Sequence, residues 1–141
     1  MKKESAFSSD LRQVANIIDE ATEQSLVLVD EFGKGTAIGD GVGLFASLLT
    51  WLSAHGAPRT IAITHFHEVY TKNLVERDSI NWWNMSVMYG EEGRRDKFEC
   101  FLYRLEEGPC IQSYGLYCAQ LAELPANIIQ RGASHICVLF L

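Results

Sequence analysis

Leu26-Val27-Leu28-Val29-Asp30-Glu31-Phe32-Gly33-Lys34-Gly35-Thr36 is the stretch on which the reading of this chain turns. Four consecutive aliphatic residues run into two carboxylic acids, and a glycine-rich turn follows at once. An unbroken run of Leu and Val reads as a strand buried on both faces of a parallel sheet. Open α/β sheets place their ligands beyond the carboxyl ends of such strands, where Asp30 and Glu31 stand. This is the form of a Walker B strand. Asp30 is expected to hold the Mg²⁺ of a nucleotide, and Glu31 to orient or deprotonate the attacking water.

Outward from this strand, helices and strands alternate. The spacing of Leu11, Val14, Ala15, Ile17, Ile18 and Ala21 predicts a helix over 10–21, with Ser8 or Ser9 as its N-cap. Asp40 is expected to cap a second helix whose apolar stripe runs from Val42 to Leu52, stopped by Gly56 and Pro58. A second apolar strand, 60–64, leads into His65. Helix–strand–helix–strand is the rhythm of a parallel sheet with crossover helices. The third quarter reads as two antiparallel strands, 82–88 and 97–105, around a polar turn with Gly90 and Gly93. A short helix near 114–121 follows, then another with Pro125 in its first turn.

The chain has 141 residues, which allows one domain of ordinary size over 1–141. With 48% hydrophobic and 21% charged residues the composition is globular, and a net charge of −6 argues against a broad phosphate-neutralising surface. No apolar segment approaches bilayer length, so no membrane role is expected. Cys100, Cys110, Cys118 and Cys137 form no C-x-x-C pair, and reduced, mostly buried thiols are the expected state.

His65 follows the second strand and would emerge on the same sheet edge as Asp30 if the strands run parallel. A histidine there can bond a γ-phosphate or polarise water, and a purely local loop role is the alternative. His65 and His67 also make an H-x-H pair beside Glu68, without a second ligand pair to complete a zinc site. Gly33-Lys34-Gly35-Thr36 is not a phosphate-binding loop: G-x-x-x-x-G-K-[ST] needs glycine five places earlier, and those places hold Leu28 and Asp30. No other segment matches. Ser113 lacks a G-x-S-x-G context and reads as a turn. Trp82, Trp83, Phe101 and Tyr103 read as core and sheet packing.

Taken together, these residues resemble the C-terminal ATPase domain of the MutS mismatch-repair family. The segments that carry the resemblance are 5–11, 21–36, Asp40-Gly41, Ile63 to Glu68, Ser113 to Leu116, and Leu124-Pro125 with the helix after it. The resemblance implies an α/β fold, a partial ABC-type P-loop NTPase domain, with ATP and Mg²⁺ as cofactors. It implies that Asp30 holds Mg²⁺, Glu31 is the general base and His65 senses the γ-phosphate. Ser5 would be the signature serine that reaches the nucleotide of the opposite subunit. Gly33, Lys34, Gly35, Thr36 and Asp40 would form a loop along the dimer interface.

Segments 84–87, 101–105 and 113–119 are similar to the meiotic branch, the fifth eukaryotic homologue. That branch implies a nuclear protein paired with the fourth homologue and clamped on DNA through domains outside these residues. The chain departs from the family pattern in lacking the P-loop, in carrying Ala6 after the signature serine, and in its residues after Arg131. A fragment, inactive alone, is therefore expected. The rival readings are a nucleotide-independent dimerisation module and a metal-dependent hydrolase built on His65, His67, Asp30 and Glu31.

Overall fold

The computed structural model describes residues 5–54, 57–89 and 98–139, and side chains at 98–99 and 137–139 fall outside that description. It divides into two compact units, Met1–Trp82 and Trp83–Leu141, each considered by itself.

The first unit runs α1 (Ala6–Glu20), β1 (Leu26–Asp30), α2 (Ile38–Leu52), β2 (Arg59–Ile63) and the single-turn α3 (Glu68–Thr71), followed by a 3-10 turn at Arg77–Ser79. β1 and β2 pair in parallel, with Leu28 opposite Ile61 and Asp30 opposite Ile63. α2 is the crossover between them, as its broad apolar stripe requires. It buries Val42, Phe45, Ala46, Leu48, Leu49 and Leu52, and Phe45 is completely enclosed. Val27 and Val29 of β1 meet this core, as do Phe32, Phe66, Val69 and Val75, while Val14, Ile17 and Ala21 of α1 pack at its margin.

Three local expectations need correction. α1 starts a turn earlier than its apolar stripe, and Ser5, not Ser8 or Ser9, is its N-cap; Ser5 Oγ accepts from Ser8 N at 3.1 Å. Asp40 does not cap α2: Ala37 holds that position, and Asp40 lies in the first turn, where a carboxylate complements the helix dipole. β1 is buried on one face only. Leu26 and Leu28 of β1, with Ile61 and Ile63 of β2, are each about three-fifths exposed or more, because α2 covers only the opposite face of the pair.

The second unit contains β3 (Trp83–Tyr89), β4 (Phe98–Glu107), α4 (Gly115–Leu121) and α5 (Ala126–Leu139). β3 and β4 are antiparallel, and the register slips between Met85 and Val87 so that extra β4 residues stand opposite Ser86. Tyr103 in this bulge has φ +53° and is 81% exposed. Ser86 Oγ donates to Arg104 O at 3.1 Å across the irregularity. Trp83 is also exposed, so neither Trp83 nor Tyr103 is a core residue, though the Tyr103 ring lies 6.4 Å from that of Phe101; Trp82 packs beside the core of the first unit. Tyr89 and Tyr114 share a hydroxyl hydrogen bond of 2.7 Å, with Phe101 edge-on to Tyr114.

Cys100 and Cys110 are half-buried, with Cys110 Sγ donating to Gln112 O at 3.2 Å, and Cys118 is exposed, which corrects the expectation of burial. Gly56, Gly90, Gly93, Lys97 and the Cys137 thiol lie outside the described structure. Among the described residues no helix is long and apolar enough to cross a membrane.

Candidate functional site

Glu31 and His65 are brought together by the two parallel strands. β1 ends at Asp30 and β2 at Ile63, and Glu31 N donates to Ile63 O at 2.9 Å, extending the ladder by one bond. The chain then turns sharply, because Glu31 sits at φ +49°. A non-glycine residue in that left-handed region costs on the order of 1 kcal/mol, a strain that clusters at functional sites. His65 Nδ1 lies 3.4 Å from Glu31 Oε1. At that length the contact is electrostatic proximity more than a strong hydrogen bond.

Each of these side chains is followed by a buried phenylalanine. Phe32 and Phe66 are both 6% exposed, and they root the two strand-end loops in the core. Phe66 packs on Phe45 at 6.2 Å between ring centroids and on the His65 ring at 4.5 Å. Phe66 N also donates to Thr64 Oγ1 at 3.0 Å. The polar residues stay at the rim while their neighbours fix the backbone beneath them.

Lys34 folds back on the strand end. Its Nζ pairs with Glu31 Oε2, and its N–H donates to Glu31 O at 3.3 Å. The Lys34 hydrogen bond and charge, helped by His65, hold the Glu31 carboxyl below the ordinary glutamate range. Glu31, His65 and Lys34 therefore form one exposed cluster. Asp30 is not in contact with it. Asp30 falls in step with Leu26 and Leu28 on the exposed face of β1, and its carboxylate has no hydrogen-bond or ion-pair partner among the described residues.

Gly33 is buried, with φ +94°. A Cβ there would stand 2.7 Å from Gly41 O, and a Cβ on Gly41 would stand 2.4 Å from Gly33 O. The turn after Glu31 is thus seated, backbone on backbone, against the first turn of α2. Only two glycines allow that approach. The local sequence around Asp30 gives no sign of it; Asp40-Gly41, at the start of an apolar stripe, is the one hint.

Gly35, Thr36 and Asp40 lie toward the beginning of α1. A Cβ on Gly35 would be 3.5 Å from Phe7 Cβ, and Phe7, Thr36, Gly39, Asp40, Gly43 and Leu44 line an open groove of about 440 Å³. Ser5 caps α1 two residues before Phe7 of that groove. Missed in the sequence were the Lys34–Glu31 pair, since Lys34 was read as an interface residue, and the anchoring role of Phe32 and Phe66.

Residues 1–139 match the family model described as MutS domain V. MutS protein homolog 5 of Saccharomyces cerevisiae is 35% identical across 92% of this chain and 16% of the yeast protein. DNA mismatch repair protein MutS of a Geobacillus strain is 38% identical across 91% of the chain and 14% of the bacterial protein. DNA mismatch repair protein Msh6 of Gallus gallus is 37% identical across 94% and 10%, respectively. The chain spans 16% or less of the length of these relatives. The match runs through both compact units and through every segment that carried the resemblance, and the chain belongs to the MutS domain V family of DNA mismatch repair proteins.

Proposed function

We propose that this chain supplies the acids and histidine of one MutS ATPase site and the signature serine of the opposite subunit's site, in a dimer where ATP binding and hydrolysis are coupled to closure on DNA. The observation that carries the reading is the convergence of Glu31 and His65 at the carboxyl end of a parallel strand pair. Asp30 fits a magnesium ligand: it offers exposed hard oxygens at the strand end, uncommitted to other described residues. Mg²⁺–ATP, when bound, supplies the electrophilic phosphorus and the charge neutralisation that phosphoryl transfer needs.

Glu31 then orients water and accepts its proton, and His65 flanks Glu31 through Nδ1 and, when protonated, can donate from its second ring nitrogen to phosphate oxygen. Ser5 Oγ accepts from Ser8 N, which leaves its O–H to donate across a dimer interface. Thr36 and Asp40, beside the start of α1, suit contact with the other subunit. We take that subunit to be another MutS-family chain, the fourth homologue if the meiotic branch is right. DNA would be held by domains beyond these residues. A nuclear location follows from the eukaryotic branch alone, since bacterial relatives match equally well.

The sequence has no G-x-x-x-x-G-K-[ST], so these residues by themselves are expected to turn over ATP negligibly. Fluorescent ATP titrated into the 141-residue chain tests this. Micromolar binding with turnover lost in Glu31→Gln would overturn it. For the composite site, the chain is mixed with a full-length MutS-family partner. ATP-dependent association that needs Ser5 supports the proposal, whereas association indifferent to nucleotide points to a dimerisation module only.

A further inference from the structure

Lys34 belongs to the turn assigned to a subunit interface, yet its ammonium is spent inside the chain. It bonds Oε2 of Glu31 while His65 Nδ1 faces Oε1, so both oxygens of that carboxylate are engaged. A carboxylate takes a proton from water through a lone pair aimed at it. A cation seated on that oxygen blocks the approach and weakens the base. The turn is shaped for this placement: Gly33 and Gly35 have φ +94° and +108°, and Gly33 is pinned against Gly41, so Lys34 is returned over the strand end.

We propose that Lys34 is a positioning residue that latches Glu31, holding the carboxylate at the strand end in the resting chain and releasing it for proton transfer. The proposal rests on Glu31 being the base. The latch is light, because Lys34 is 63% and Glu31 38% exposed, and ion pairs in water are readily exchanged. An anion of higher charge than one carboxylate, such as a polyphosphate tail, is the class of ligand that draws the ammonium away.

Side-chain NMR of the 141-residue chain with lysine labelled at Cε, at constant pH, reads the latch directly. Lys34 Cε should be more ordered than that of Lys72, and should fall to the Lys72 level in Glu31→Gln. Lys34→Arg should keep the Glu31 side chain ordered, and Lys34→Met should free it, with the amide signals of Phe45 and Val69 unchanged. A Lys34 as mobile as Lys72, or one indifferent to Glu31→Gln, overturns the proposal.

Tripolyphosphate added to the chain should bring Lys34 Cε to the Lys72 level, and a Lys34 that stays ordered in saturating tripolyphosphate overturns the release. These spectra involve no ATP turnover, so they decide the latch separately from the ATPase reading.

Discussion

The unit Met1–Trp82 and the unit Trp83–Leu141 are built from comparable amounts of secondary structure and bury their side chains in opposite ways. Every buried apolar side chain described, from Val27 to Val75, lies in the first; in the second the only buried residue described is the polar Ser86. The first unit is a helix laid on a parallel strand pair, with a core that fixes both strand-end loops. The second is a long hairpin and two helices whose large apolar residues, Trp83, Met85, Leu102, Leu105 and Ile128 among them, remain exposed. Candidate chemistry sits where the core is. Precise placement of a carboxylate and an imidazole needs rigid backbone beneath them, and only the first unit supplies it.

Phe45→Ala is the strongest way to break this contrast. Phe45 is fully enclosed and stacks toward Phe66, which carries His65 beside it. Removing the ring should cost about 3–5 kcal/mol. Chemical denaturation should show the loss, and amide exchange of β1 and α2 should accelerate by orders of magnitude. The Glu31–His65 contact should be lost with them.

Gly41→Ala comes next, and it sharpens the contrast by testing the loop and not the core. A methyl group 2.4 Å from the Gly33 carbonyl oxygen meets backbone, which cannot rotate aside. Displacement of the turn should cost about 2–3 kcal/mol, and it should move Glu31 and Lys34 while α2 stays helical by circular dichroism. Gly43→Ala is the control, since a Cβ there meets nothing within 4 Å.

The contrast also explains what was legible in the sequence. β1 and β2 are legible in the sequence to within about a residue at each end, because a run such as Val27 to Val29 admits few alternatives. Parallel pairing places His65 on the expected strand-end edge, but its ring meets Glu31 and not the Asp30 named with it in the sequence, because side chains alternate along β1. Ser5 was missed as a cap because the apolar stripe begins only at Leu11, so the first turn of α1 carries no periodic signal. α3 and the 3-10 turn at Arg77 are too short to show a period at all. Asp40 looked like a cap because acids favour both the cap and the first turn. The Gly33–Gly41 seat joins residues from two elements, and no local pattern encodes it. Trp83 and Tyr103 were read as packing from their residue type alone, and a bulge with a left-handed tyrosine cannot be seen in an alternating apolar strand.

Ser5→Ala separates a local from an intermolecular role within the first unit. Loss of the cap to Ser8 N should cost about 1 kcal/mol, seen as fraying of the first turn of α1 in amide exchange. Ser5→Asp keeps a capping acceptor and removes the hydroxyl donor. It should hold the helix start and abolish ATP-dependent association with a full-length MutS-family partner. Association that survives Ser5→Asp would leave the serine a cap and nothing more.

Leu105→Ser, in β4, should have the smallest effect and is the sharpest check on the second unit. Leu105 stands opposite Met85 and is 66% exposed, as Met85 is 50% exposed, so the pair shares a face open to water. An exposed leucine has little transfer free energy to lose, and the change should stay within about 0.5 kcal/mol. In the first unit Leu48, 4% exposed, is the matched residue, and Leu48→Ser should cost several kcal/mol through the lost burial and the stranded hydroxyl. Should Leu105→Ser prove as damaging as Leu48→Ser in the 141-residue chain, the face of the hairpin is covered in solution. The contrast in burial between the described residues of the two units would then fail.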